Sequence, residues 1–222
     1  MAKQGEHDRL IAAAAKAALA SVGCLRKGQS RVWISDQRFW VVHIEFQPSG
    51  WSKGSYLNVG AAWLWYPRKG LPFNYGYRVA DFIPFESAEQ FTPLIEDMAA
   101  QAAREVLALR EKFRTLADIH RHLVNNVRYD DWPAYHAAVA AGLVGDIATA
   151  RQLFCRVEAW PTQGSEWQQT LKSDAVALAA LLDDPARFRA AVCEIIAQCR
   201  ALNKLPTDPQ CLDGAVTIDA LR

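Results

Sequence analysis

An α+β fold is predicted for this 222-residue chain: an antiparallel meander of about four strands packed on an N-terminal helix and a long helix, followed by a helical subdomain. Three observations predict it. Residues 26–66 hold five of the eight tryptophans in runs that alternate like strands, with turn residues between the runs. Residues 94–113 repeat apolar side chains at helical spacing for about five turns. Beyond residue 128 the composition shifts to alanine-rich segments, each with its own start and stop signals. The expected organisation is an α+β domain over 1–127, a helical subdomain over 128–205 and a tail over 206–222.

Taken in order, residues 7–22 read as a helix because Leu10, Ala14, Ala18 and Val22 recur every fourth position and Gly23 sits where a left-handed cap ends it. The sheet begins near Arg31. Trp40, Val42, Ile44 and Phe46 alternate with Phe39, Val41, His43 and Glu45, which predicts a buried even side and a half-polar odd side. In the third strand Leu57, Val59, Ala61, Trp63 and Trp65 form the apolar side. For the first hairpin a three-residue loop is preferred to a two-residue loop at Asp36-Gln37. The longer loop groups Val32 and Ile34 with Trp40 and Val42, and Asp-Gln lacks the glycine that tight hairpins favour.

A fourth strand is expected over residues 73–79, with Phe73, Tyr75, Tyr77 and Val79 on one side. Ser87 with Gln90 has capping-box spacing, and Thr92-Pro93 is a second possible start for the helix traced by Leu94, Met98, Ala102, Val106, Leu109 and Phe113. A shorter helix ends at Asn125-Asn126. Helices then follow over 131–141 (stopped by Gly142), 146–158, 165–182 and 184–202, with Asp146, Ser165 and Asp184 as N-caps. The tail after Pro206 is expected to drape on the surface or to lack order.

Lys27, Gly28 and Arg31, then Phe46, Gln47 and Ser49, then Asn58, Val59 and Gly60 follow one another as in a bacterial family of unknown function. There, an N-terminal helix leads into a K-G-x-x-R-like turn, a strand ending in glutamine and serine, and an N-x-G strand. The chain resembles that family over about 40 residues, which implies an α+β fold and no activity. Within 132–158, Gly145-Asp146, Ala150 and Phe154 resemble the second half of a tetratricopeptide-type helix pair. The preceding helix departs from that pattern by carrying alanine at Ala138 and Ala141. No second copy stands at a 34-residue period, so helical hairpins are expected in place of an array.

The net charge of +1 is unevenly spread: residues 1–78 carry +7 and residues 79–222 carry −6. That split fits either two halves that attract each other or a basic half that faces an anionic ligand. The five cysteines include no C-x-x-C pair, which excludes a zinc finger and suits a reducing cytoplasm. The apolar run from Leu10 to Val22 is interrupted by Lys16 and is expected to be neither a signal peptide nor a membrane span.

No stretch carries a reaction signature. His120 and His122 stand two apart on an expected helix and point away from each other, so they share no metal. No serine lies in a nucleophile elbow, and Ser49–Gly54, although rich in glycine and hydroxyls, lacks Walker spacing. No catalytic residue, metal or cofactor is therefore assigned. The candidate ligand-binding residues are those placed on the odd sheet face, namely Arg31, Trp33, His43, Glu45, Tyr56 and Asn58, with Arg26, Lys27, Arg38, Lys53, Arg68 and Lys69 at its rims. Such a face either forms an interior contact or positions a ligand. The expected function is a non-catalytic module with a protein partner. Single-stranded nucleic acid or another anion bound by the basic, aromatic half is the alternative. A third is an enzyme whose site is assembled from distant residues and leaves no local motif.

Overall fold

The computed structural model describes residues 5–161 and 164–212. The chain is α+β, with five antiparallel strands in sequential order β1-β2-β3-β4-β5 and seven helices among the described residues. It divides into two compact units, one formed by Met1–Ala62 and Leu71–Lys112, the other by Trp63–Gly70 and Phe113–Arg222. No helix among the described residues is long and apolar enough to cross a membrane.

The first unit opens with α1 (Glu6–Ser21), which buries Ile11, Ala14, Ala15 and Leu19. That stripe is rotated from the expected Leu10–Ala18 line, because Ile11 and Leu19 supply more apolar area than alanine does. Gly23, at φ 72°, ends the helix, and its left-handed turn lets the Cys24 N–H donate to the Leu19 carbonyl. A two-residue strand, β1 (Leu25–Arg26), follows and was not expected. It pairs with β2 (Val32–Asp36), which pairs in turn with β3 (Trp40–Gln47).

The first hairpin corrects the expected register. Trp33 lies opposite Ile44, Ile34 opposite His43 and Ser35 opposite Val42. Residues directly opposite share a face, so Trp33 joins Trp40, Val42, Ile44 and Phe46, whereas Val32 and Ile34 join His43 and Glu45. The connection is tight and centred on Arg38-Phe39. Arg38 adopts φ 70° without being glycine, its N–H donates to Asp36 Oδ1 at 2.9 Å, and the Gln37 N–H donates to the Trp40 carbonyl at 2.9 Å. An aspartate that caps the turn thus replaces the glycine whose absence argued for a longer loop.

β4 (Gly54–Trp63) buries Leu57, Val59 and Ala61 as its alternation predicts. β5 (Tyr75–Pro84) starts later and runs further than expected, and Phe73 lies outside it. Opposite β4, it carries an extra residue at two places, between the partners of Ser55 and Leu57 and between those of Leu57 and Asn58. α2 (Ala88–Lys112) begins at Ser87, whose Oγ accepts from the Gln90 N–H at 3.2 Å. It packs Phe91, Ile95, Met98, Ala102, Val106 and Leu109 inward and leaves Leu94 exposed. α1 and α2 lie against each other, and Arg110 of α2 donates to Ser35 Oγ and to the Val22 carbonyl.

The second unit is built around α4 (Trp132–Val144), in which every residue from Ala134 to Val144 is buried. The helix continues through Gly142 to a left-handed Gly145, past its expected stop. At Gly142 a Cβ would stand 2.5 Å from Phe188 Cζ, so the glycine serves close packing instead of termination. Around α4 stand α3 (Leu116–Asn125), α5 (Ile147–Ala159) and α7 (Pro185–Leu202), and α6 (Glu166–Ala179) packs on α5. Asp146 and Asp184 cap their helices through Thr149 N and Arg187 N, whereas Ser165 makes no side-chain cap. Residues 63–70 belong to this unit by particular bonds. Trp65 Nε1 donates to His136 Nδ1 at 3.0 Å, Tyr135 Oη donates to the Trp65 carbonyl at 3.1 Å, and Asn203 bonds both the Arg68 carbonyl and the Gly70 N–H. Cys211 and Leu212 are buried, so residues 206–212 of the tail pack down on α7; residues 213–222 lie outside the described residues.

Candidate functional site

The revised register divides the six candidate residues between the two faces of the sheet. Arg31 and Trp33 lie on the helix-bearing face. Trp33 is buried, and the Arg31 guanidinium donates to Asp8 Oδ1 of α1 at 2.8 Å and to the Gly54 carbonyl at 2.9 Å. Both therefore hold the unit together. His43, Glu45, Tyr56 and Asn58 are brought together on the other face.

Here three adjacent strands contribute to each row of side chains. In the first row His43 of β3 stands beside Gly60 and Gly76, which pair across β4 and β5. The Phe73 ring lies flat on His43, with centroids 4.4 Å apart and planes 7° apart. Gly60 is required for this, since a Cβ there would meet Phe73 Cδ1 at 2.6 Å. Burial holds the His43 imidazole down at about 4, with Lys27 acting in the same direction; the Leu71 backbone is the polar group that favours protonation. The Leu71 backbone engages the ring only outside tight hydrogen-bonding geometry. A buried, neutral imidazole held so loosely is costly, and Phe73 covers it.

Next along the face is a polar cluster. Asn58 Nδ2 donates to Gln47 Oε1 at 2.8 Å and approaches Glu45 Oε2 at 3.4 Å. Arg78 donates to the same Gln47 oxygen at 3.1 Å, and its guanidinium carbon stands 4.0 Å above the Tyr56 ring. Glu45, Gln47, Tyr56 and Asn58 are half-buried and Arg78 is exposed. The loop at this end of β3 and β4 carries Trp51, which is 99% exposed. Its backbone N–H is held by Ser49 Oγ at 3.1 Å. The reading of residues 49–54 as a hairpin connection agrees with this geometry.

Gln47, Phe73 and Arg78 on this face, and Trp51 in the adjoining loop, are polar or aromatic residues that sequence reasoning did not select. Gln47 belonged to the quoted strand pattern and Trp51 to the loop, so both had a signal. Arg78 had none, because the extra residues of β5 set which way it points.

No family model, curated protein or solved structure matches the chain.

Two further histidines are engaged structurally. His120 sits 3.4 Å from Asp146, and burial lowers its pKa. His136 is enclosed, held at about 3 by burial and by Arg68. Among the described residues no three of histidine, cysteine, aspartate and glutamate come together as metal ligands. A cleft of about 490 Å³ between α1 and α2 is lined by Leu10, Ala13, Ala17, Thr92, Ile95 and Glu96, and in it a single carboxylate faces an alanine-rich wall. It lacks the convergent polar groups that the sheet face offers.

Proposed function

We propose that the protein is a non-catalytic interaction module that binds a protein segment on the face carrying Glu45, Gln47, Tyr56, Asn58 and Arg78, in a reducing cytoplasm. The observation that carries this reading is Trp51, an almost fully exposed indole at the rim of a cluster whose amide and guanidinium groups are already fixed by their own hydrogen bonds. Tryptophan and arginine dominate binding energy at protein interfaces. Polar groups held in place before binding lose little entropy when a peptide backbone meets them. The reading as a site for single-stranded nucleic acid draws less support. Trp33 points toward the helices and Arg31 is committed to Asp8, which removes one stacking ring and one cation from the face.

The test compares full-length wild type with Trp51→Ala, Arg78→Glu and, as a control at the far edge of the sheet, Leu25→Ser. Each is cross-linked in cells of the native host, and the recovered protein is then purified and titrated. A partner whose affinity falls about tenfold or more with the first two changes and holds with the third supports the proposal. A partner equally retained by all variants, or none at all, overturns it. A labelled single strand that binds at low salt, weakens steeply with added salt and is lost on Arg38→Ala with Lys53→Ala would favour the nucleic-acid reading instead.

A further inference from the structure

Of the five cysteines, two lie side by side. Cys211 Sγ is 3.8 Å from Cys193 Sγ, although the residues are eighteen positions apart. Cys193 is on α7, half-exposed, and Cys211 is on the segment that follows the helix, buried. That segment doubles back along α7. The Leu205 N–H donates to the Arg200 carbonyl at 2.9 Å, Arg200 Nε donates to the Pro206 carbonyl at 2.7 Å, and Arg189 donates to the Leu212 carbonyl. Arg189, Cys193, Ile196 and Arg200 recur at helical spacing, so one stripe of α7 carries the strap along its length. The two sulfurs meet midway along it.

We propose that Cys193 and Cys211 form a redox modification site, a dithiol that a small soluble disulfide converts to an intramolecular disulfide, fastening residues 205–212 covalently to α7. A disulfide bond is about 2.0 Å long, so closure needs only a local adjustment of two side chains already in contact. The reaction proceeds in two exchanges. The Cys193 thiolate, which solvent reaches, attacks one sulfur of the incoming disulfide. An S–S bond forms, the reagent's own S–S bond breaks, and one reagent thiolate departs with the electron pair. Cys211 then gives up its proton to solvent and attacks Cys193 Sγ, expelling the second reagent thiolate. Two protein thiols are oxidised, and one reagent disulfide is reduced to two thiols. Burial, with the neighbouring Cys193, pushes the Cys211 thiol up to about 12, which suits it to the second, intramolecular step and not to first attack from solvent. Cys199 does not compete on geometry, since it is buried and its sulfur and carbonyl are bonded by Asn203.

The experiment incubates the full-length protein with oxidised glutathione, blocks remaining thiols with N-ethylmaleimide, and digests with trypsin without reduction. Cleavage after Arg189, Arg200 and Lys204 separates the Cys193 peptide from the Cys211 peptide. The expected product is a cross-linked pair joined at Cys193 and Cys211, located by fragmentation and reversed by dithiothreitol. It is absent from both Cys193→Ser and Cys211→Ser. It should also form about tenfold or more faster in the folded protein than in urea, because folding sets the effective concentration of the second thiol. A glutathione adduct that persists on Cys193 while Cys211 stays open to alkylation overturns the proposal. So does a dominant link through Cys199, or equal rates in urea and buffer.

Discussion

His43 and His136 are both buried and both held neutral, yet they are built into their surroundings in opposite ways. His136 sits in the all-buried helix α4, and its Nδ1 accepts the indole N–H of Trp65, which ties residues 63–70 into the helical unit. His43 sits on the sheet under Phe73, and the Leu71 backbone engages its ring only outside tight hydrogen-bonding geometry. The first imidazole fastens two distant parts of the chain. The second is held loosely and covered by a neighbouring ring. A loosely satisfied buried polar group marks a place where folding alone does not explain the residue, and it lies beside the cluster proposed to bind.

Removing the fastening imidazole is the largest test of the contrast. His136→Ala leaves a cavity and an unpaired Trp65 N–H, so urea unfolding followed by tryptophan fluorescence should show a loss of about 3 kcal/mol. Acid comes next. Both histidines have folded pKa values below 6.5, so the unfolded state binds the extra protons and stability falls as pH drops below about 6.5. For His43 the loss is nearly complete by pH 4 and is on the order of 3 kcal/mol. His43→Leu lacks this loss, so wild type should weaken relative to the variant by that amount when unfolding is measured across that window.

At pH 7 the same His43→Leu change should leave stability unchanged or raise it by about 1 kcal/mol, because the group it deletes is held only loosely by the Leu71 backbone. A loss of more than about 1 kcal/mol, read from the same urea curves, would show that the Leu71 contact is a full hydrogen bond. Trp51→Ala should be the mildest, within about 0.5 kcal/mol in thermal unfolding, since the indole is exposed. Its effect is expected in binding alone.

The parts of the fold that could be read from sequence are those governed by local periodicity. Trp40, Val42, Ile44 and Phe46 on one strand, and Leu57, Val59 and Ala61 on the next, announce their buried side by alternation. Ser87, Asp146 and Asp184 announce helix starts by the bonds they go on to make. The hairpin register was not legible, because a non-glycine residue at Arg38 takes the left-handed turn with help from Asp36. That one shift exchanged Trp33 for Val32 and Ile34 on the half-polar face. The strand boundary at Phe73 and the extra residues of β5 were hidden for a related reason: both depend on what β4 offers opposite. Of the candidate site, His43, Glu45, Tyr56 and Asn58 were legible as one face. Their partners lie far along the chain, Phe73 30 positions from His43 and Arg78 22 from Tyr56, and reach them only because β5 pairs with β4.

The bonds from Asn203 to Arg68 and Gly70 also set a timetable for synthesis. They span 135 and 133 positions, so the segment at 63–70 must wait on the ribosome for that many further residues before this anchor exists. At about 5–20 residues per second that delay is on the order of 10 s. Trp65 finds His136 about halfway through it, and the indole spends the first half of that interval without the imidazole that later accepts its hydrogen bond.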